Sequence, residues 1–183
     1  MTFDKTVILK DGRTCLLRNG IASDGQAVLD VFNLTHEETD YLLTYADENS
    51  FTVSQEGDFL QRQTDSANNV EIIAVVDGVV AGTAGIDALG MRDKIKHRAV
   101  FGIAITKEFW GLGIGKYLME ACIECAREAG YLQLELEVVA ENKSAVEMYK
   151  RAGFIEYGRN PKAFRLRTGE YQELIDMRLE LRP

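Results

Sequence analysis

The feature of this 183-residue chain that most restricts its fold is an apolar run, Ala99–Thr106, that leads through a glycine-rich turn, Trp110–Gly115, into an amphipathic helix from about Ile114 to Ala129. An apolar run of that length, bounded by turn residues, predicts a strand covered on both faces. Glycines at 111, 113 and 115 permit close approaches and backbone conformations that a Cβ forbids. A strand entering a helix this way leaves free N–H groups at the helix start, where the helix dipole also draws anions. Two readings stand at this point: a phosphate-binding loop, or a tight turn with no ligand. The dinucleotide fingerprint G-x-G-x-x-G is excluded, because Lys116 or Leu118 stands where its third glycine belongs. The Walker A loop is excluded by Trp110 and Tyr117, which occupy its first glycine and its Ser/Thr.

Around this unit the pattern alternates. Thr6–Lys10 and Arg13–Arg18 flank Asp11-Gly12, and Glu71–Val76 and Val79–Gly85 flank Asp77-Gly78. Both read as hairpins whose central residues take positive φ. Between them, Ser23–Leu43 reads as a helix with Val28, Leu29, Val31, Phe32 and Leu34 as apolar positions. A polar stretch, Thr44–Asn69, holds a short helix around Asp58–Gln63. Gly130 ends the helix that follows the glycine turn. Leu132–Val139 then alternates, with Leu132, Leu134, Leu136 and Val138 on one face and Gln133, Glu135, Glu137 and Val139 on the other. That predicts a strand with one apolar face. Asn142 is suited to cap a helix over Lys143–Arg151, closed by Gly153. Phe154–Leu181 reads as two strands around a basic turn at Asn160-Pro161. The order predicts an α/β chain with a mixed sheet, in one domain over 1–183.

Charge and cysteine content narrow the function. The formal net charge of −8 disfavours nucleic acid and anionic lipid as partners, because phosphate neutralisation dominates those affinities. It leaves room for an anionic cofactor if backbone N–H groups supply a local positive site. No run approaches the length of a membrane span, and Met1–Lys5 lacks the layout of a signal peptide. The expected location is the cytoplasm. Cys122 and Cys125 form a C-x-x-C, yet they share a helical stripe with Ile114, Leu118, Ala126 and Ala129, so they read as small core hydrophobes. With His36 and His97 the only histidines, no metal site is expected.

Asn142-x-x-Ala145-x-x-x-Tyr149-x-x-x-Gly153-Phe154 follows the glycine turn after one helix and one strand. Together the two motifs resemble the GNAT N-acetyltransferases over roughly Val70–Phe154. That family's acetyl-CoA motif, [Q/R]-x-x-G-x-[G/A], is matched at Trp110–Gly115 in all but its first position. Its second motif is matched in every specified position. The resemblance implies an acyl-CoA N-acyltransferase fold, with a mixed sheet splayed between two parallel strands and helices on both faces. The pantetheine arm would lie between Ala99–Thr106 and Leu132–Val139 like an added strand, against the backbone of Ile103 and Ile105. Leu112, Gly113, Ile114, Gly115 and Lys116 would hold the pyrophosphate, and Asn142 the arm. It also implies acetyl transfer by direct attack of a primary amine in a ternary complex. The acceptor would be a small molecule, an amino acid, a polyamine or a peptide N-terminus. A homodimer is compatible with it. The alternative from another class is a GNAT-fold module that binds acetyl-CoA without turnover.

Acetyl transfer needs a neutral amine, a donor toward the oxyanion and a proton or hydrogen bond for the leaving sulfur. Tyr149 suits the sulfur. It lies seven residues after Asn142 on one helix, about 10.5 Å along the axis and on the same face. A phenol of pKa ~10 would give its proton only uphill to a thiolate of ~8.5, so hydrogen bonding is the main role expected. Glu137 is the base candidate, at a spacing similar to that of the glutamate in the ribosomal-protein alanine acetyltransferases; Glu135, on the same face, is its rival. An acidic run, His36–Asp40, and the basic residues Arg159, Lys162, Arg165 and Arg167 are further candidates for holding an acceptor.

Overall fold

The structure, a computed structural model, describes residues 1–181. Eight strands form one sheet in the order β1-β2-β3-β4-β5-β6-β8-β7. They are β1 (Asp4–Ile8), β2 (Thr14–Asn19), β3 (Val70–Val76), β4 (Val79–Ala88), β5 (Arg98–Ile105), β6 (Gln133–Val139), β7 (Ile155–Arg165) and β8 (Tyr171–Glu180). Every neighbouring pair is antiparallel except β5 and β6. The helices are α1 (Gly25–Glu38), α2 (Val53–Asp65), α3 (Ile114–Glu128) and α4 (Lys143–Arg151).

The two Asp-Gly hairpins close differently. Asp77 and Gly78 both have positive φ, 51° and 81°, the mirror-image turn that matches strand twist. At the first hairpin only Gly12 does. Leu9 N–H donates to Arg13 O at 2.8 Å, so the loop has three residues and ends on a left-handed glycine, the next most common hairpin solution.

Helices cover both faces of the sheet, as the family resemblance implies. On one face, Ile114, Leu118, Cys122 and Ala126 of α3 bury against Ile72, Ala84, Ile86 and Ala99 of the strands. Each large apolar side chain fully removed from water there contributes roughly 1.5–3 kcal/mol. All three cysteines are free and buried, in line with the core reading. On the other face, Val28 and Val31 of α1 and Leu60 of α2 pack on Ile73 and Val80.

Several boundaries differ from expectation. The first helix stops at Glu38 instead of Leu43, because Thr39 turns extended (φ −156°, ψ 147°) and the chain crosses to the β7–β8 hairpin. There Arg167 pairs with Asp47 at 2.7 Å and stacks on Tyr45 at 4.0 Å. The second helix is longer than Asp58–Gln63. Thr52 and Gln55 form a capping box at its start, a signal legible in the sequence as T-x-x-Q. Asn160-Pro161 is not the final turn: β7 runs through it, and the register shifts between Asn160 and Phe164. Proline is tolerated there because β7 is an edge strand and among the described residues has no outer partner needing its N–H. The turn lies at Leu166–Glu170, with Gly169 at φ 92°.

Candidate active site

The parallel strands part almost as soon as they meet. Arg98, Ala99 and Val100 pair with Gln133, Leu134 and Glu135, and beyond Val100 the two strands no longer bond to each other. β5 keeps β4 on its far side up to Ile105, and β6 keeps β8 up to Val139. A cleft therefore opens between the C-terminal halves of β5 and β6. This corrects the expectation that Ala99–Thr106 is covered on both faces. Ala99 and Phe101 are buried, but Val100 and Gly102 are exposed and Ile103–Ile105 only half-buried.

Trp110 has a role that its place in the motif does not reveal. Its indole N–H donates to Ile105 O at 2.7 Å, so that carbonyl faces the open edge and is already engaged. Backbone direction repeats every two residues along a strand, which turns the N–H and C=O of Ile103 to the same edge, beyond the reach of β4.

The glycine turn sits at the mouth of the cleft. Gly111 and Gly113 have φ of 80° and 97°, a region that L side chains rarely enter. Gly115 is present for space, since a Cβ there would stand 3.2 Å from Met148 Sδ and 3.3 Å from Ile105 Cδ1. α3 has no side-chain cap, and its first internal bond is Tyr117 N–H to Gly113 O at 3.3 Å. The N–H groups of Ile114, Gly115 and Lys116 thus have no acceptor within the helix. The contrast with α4 is direct, because Asn142 Oδ1 accepts Ala145 N–H at 3.3 Å and caps that helix start, leaving its amide N–H₂ free to donate to another partner.

Tyr149 and the two strand glutamates stand on opposite faces of the sheet. Tyr149 is 5% exposed. Its ring meets Phe101 edge-on at 6.2 Å and Phe154 at 5.8 Å. Burial alone pushes its phenol well above the ordinary range. On the far face, Glu135 and Glu137 of β6 are unlike each other. Glu135 is buried and held by both Nε and Nη2 of Arg98. Glu137 is exposed, makes no ion pair among the described residues, and lies in register with Asp176 of β8. Alternation alone puts both glutamates on one face, with Glu137 preferred only by its spacing; the position of Arg98 separates them physically.

Beside the cleft lies a cavity of about 370 Å³ whose wall includes Glu38, Asp40, Tyr41, Lys107, Trp110 and Gln172. Glu38 accepts Lys107 N–H at 2.7 Å, and Lys107 Nζ donates to Glu38 O at 3.1 Å. Gln172 is 8% exposed, and its Oε1 has no hydrogen-bond donor. No motif or pattern in the sequence singles out Gln172. His36 is drawn aside, stacked on Phe32 at 3.8 Å and bonded to its carbonyl. Of the basic residues, Arg159 is engaged with Glu156 and Glu173 and Arg167 with Asp47. Lys162 lies over Tyr171.

Comparison with known proteins gives a consistent picture. The model of the Acetyltransferase (GNAT) family matches residues 31–154. An L-amino acid N-acetyltransferase of Escherichia coli is 32% identical over 118 residues, 64% of this chain and 72% of that protein. With other N-acetyltransferases the matched stretch is 38% and 40% of the relative's length. An acetyltransferase of the GNAT family from Streptococcus pneumoniae superposes with a TM-score of 0.86 at 28% identity, over 91% of this chain and 99% of that one. A GNAT superfamily phosphinothricin acetyltransferase from Sinorhizobium meliloti, solved in complex with acetyl-CoA, shares the fold at 18% identity. Its TM-score is 0.80, over 91% and 88% of the two chains.

Proposed function

The chain belongs to the GNAT acetyltransferase family and is an acetyl-CoA-dependent N-acetyltransferase; from that premise we propose how its residues divide the work and what kind of acceptor they meet. The observation that carries the reading is the parting of β5 and β6 after Val100, with an uncapped helix start at the open end. These features fit acetyl-CoA. The free edge at Ile103 offers strand-like bonds to the pantetheine amides, with Ile105 contributing its N–H once Trp110 has taken its carbonyl. Leu112, Gly113, Ile114, Gly115 and Lys116 suit the pyrophosphate, and the amide of Asn142 the arm. When bound, acetyl-CoA supplies a thioester carbonyl open to attack by an amine.

In this reading Glu137 accepts the ammonium proton, directly or through water, on the α1–α2 face. Its freedom from ion pairs supports it over Glu135. Tyr149 works from the opposite face by donating a hydrogen bond to the departing sulfur. Because burial raises its pKa, proton transfer is further uphill than for a free phenol, and the hydrogen bond carries the stabilisation. The acceptor enters beside Asp40 and Gln172. That wall offers the Asp40 carboxylate as an acceptor, while the ammonium of Lys107 is already engaged. An occupant bringing N–H donors, such as the primary amine of a small molecule, amino acid, polyamine or peptide N-terminus, matches it. We read the chain as one such domain acting in the cytoplasm, a compartment that suits three free cysteines. Among the described residues no helix is long and apolar enough to cross a membrane.

A panel of primary amines, assayed by free thiol released from acetyl-CoA, tests the proposal. Amine-dependent thiol release with at least one class is the expected result. Binding of acetyl-CoA with no release across the panel would favour a non-catalytic module.

A further inference from the structure

The hairpin of β1 and β2 lies outside the stretch that matches the family model, which begins at residue 31, yet its tip is docked on the glycine turn. Lys10 N–H donates to Leu112 O at 3.2 Å. Tyr117 Oη, one turn into α3, donates to Ile8 O at 3.2 Å. Two hydrogen bonds thus tie the hairpin to either side of the helix start. The side chain of Lys10 follows the turn: its Cγ and Cε stand 4.0 and 3.9 Å from the place a Cβ would occupy on Gly113. Gly113 is the residue from which α3 begins, and the N–H groups after it have no acceptor within the helix.

Lys10 is also uncommitted, unlike the other charges at the hairpin's tip. Asp11 and Asp77 both pair with Arg13, and the Arg13 guanidinium lies over Phe109 at 5.5 Å. Lys10 makes no ion pair among the described residues. Lys116, the cation of the turn's own sequence, is shared with Glu120 at 3.7 Å. A protein of net charge −8 repels a polyanion at long range, so a free ammonium on a side chain that packs along Gly113 has a clear use there.

We propose that Lys10 is a binding residue for the diphosphate of acetyl-CoA, delivered to the glycine turn from the N-terminal hairpin. The proposal rests on the acetyl-CoA reading above. Backbone N–H groups of Ile114–Lys116 hold the anion from the helix side, and Lys10 adds a mobile positive charge from the hairpin side. As an exposed point charge it contributes to affinity in proportion to how little salt screens it.

Calorimetric titration of acetyl-CoA, CoA and 3′-dephospho-CoA into the unmodified protein, Lys10→Met and Lys10→Arg tests it. Methionine keeps the aliphatic contact with the turn and removes the charge. The expected result is a Kd raised roughly threefold to tenfold in Lys10→Met at low ionic strength, a size typical of one exposed charge contact. The increase should be equal for all three ligands, shrink toward nothing at high salt, and be largely restored by arginine. Lys96→Met, which removes a charge paired with Asp93 elsewhere, should leave every Kd unchanged. Equal affinity of Lys10→Met and the unmodified protein at low salt overturns the assignment. So does a loss seen with CoA but absent with 3′-dephospho-CoA, which would place the ammonium on the 3′-phosphate. If the unmodified protein itself does not bind acetyl-CoA, the cofactor reading falls and Lys10 falls with it.

Discussion

Replacing Tyr149 by phenylalanine should move stability and catalysis in opposite directions. The ring packs against Phe101 and Phe154, and phenylalanine preserves that packing. Burial raises the phenol pKa, and the hydroxyl makes no hydrogen bond to another described residue. Removing a hydroxyl that bonds no protein group leaves stability unchanged or raises it by up to about 1 kcal/mol. For a chain of this size that is a gain in Tm of at most about 2–4 °C. A positioned hydrogen-bond donor to the leaving group, by contrast, contributes about 10²–10⁴ in rate, or roughly 3–5 kcal/mol of barrier. Acetyl-CoA affinity should stay within a few-fold, because the hydroxyl acts mainly in the transition state. The raised pKa keeps the phenol protonated through neutral and mildly alkaline pH, so the variant should keep the shape of the pH–rate profile and lose only its height. Thermal melts without ligand and initial rates of thiol release measure both sides. Full activity in Tyr149→Phe would remove the hydroxyl from the mechanism and leave Tyr149 as a core residue. A clear loss of stability would show that it has a partner after all.

Glu137→Gln should lower turnover most at low pH, where neutral amine is scarcest, and progressively less as pH rises; a pH-independent loss would refute its role as base. Glu135→Gln should instead destabilise the fold by about 1–3 kcal/mol, because it leaves Arg98 without its carboxylate, and a denaturant melt reads this directly. Burial beside Asp87 and Glu56 raises the Glu71 carboxyl from 4.5 to about 8. The folded state therefore holds a proton that the unfolded state releases, and stability falls as pH rises from about 4.5 to about 8, by up to roughly 5 kcal/mol. Glu71→Gln should flatten that slope in melts across this range, with the largest gain above pH 8; an unchanged slope would refute the assignment. Gly115→Val should abolish acetyl-CoA binding, and because its Cβ would press on Met148 and Ile105 it should also lower Tm by several degrees. Normal binding by a folded variant would show that the turn only shapes the chain.

The features legible from the residues alone were local. Positive φ at Gly113 and at Asp77-Gly78, the cap at Asn142, the stripe of α3 and the alternation of β6 each depend on a few neighbouring residues. Their dihedral and hydrogen-bonding preferences hold in almost any context. The two motifs, set one helix and one strand apart, then placed the cofactor turn and Tyr149 within a family resemblance. Tertiary structure decided whatever required groups far apart in the chain to meet. Glu135 and Glu137 are equivalent by alternation, yet Arg98, 37 residues from Glu135, takes one and leaves the other free. Val100 and Gly102 look like core, yet they share a face of β5 that is left uncovered while Ala99 and Phe101 are buried on the other. Asn160-Pro161 has the chemistry of a turn but stays in a strand, because an edge position asks nothing of the proline nitrogen. Lys10 stands more than 100 residues before Gly113 in sequence, and only the folding of the first hairpin onto α3 brings its side chain over that turn. Long-range pairings of this kind are set by the packing of the whole sheet, and no window of sequence contains them.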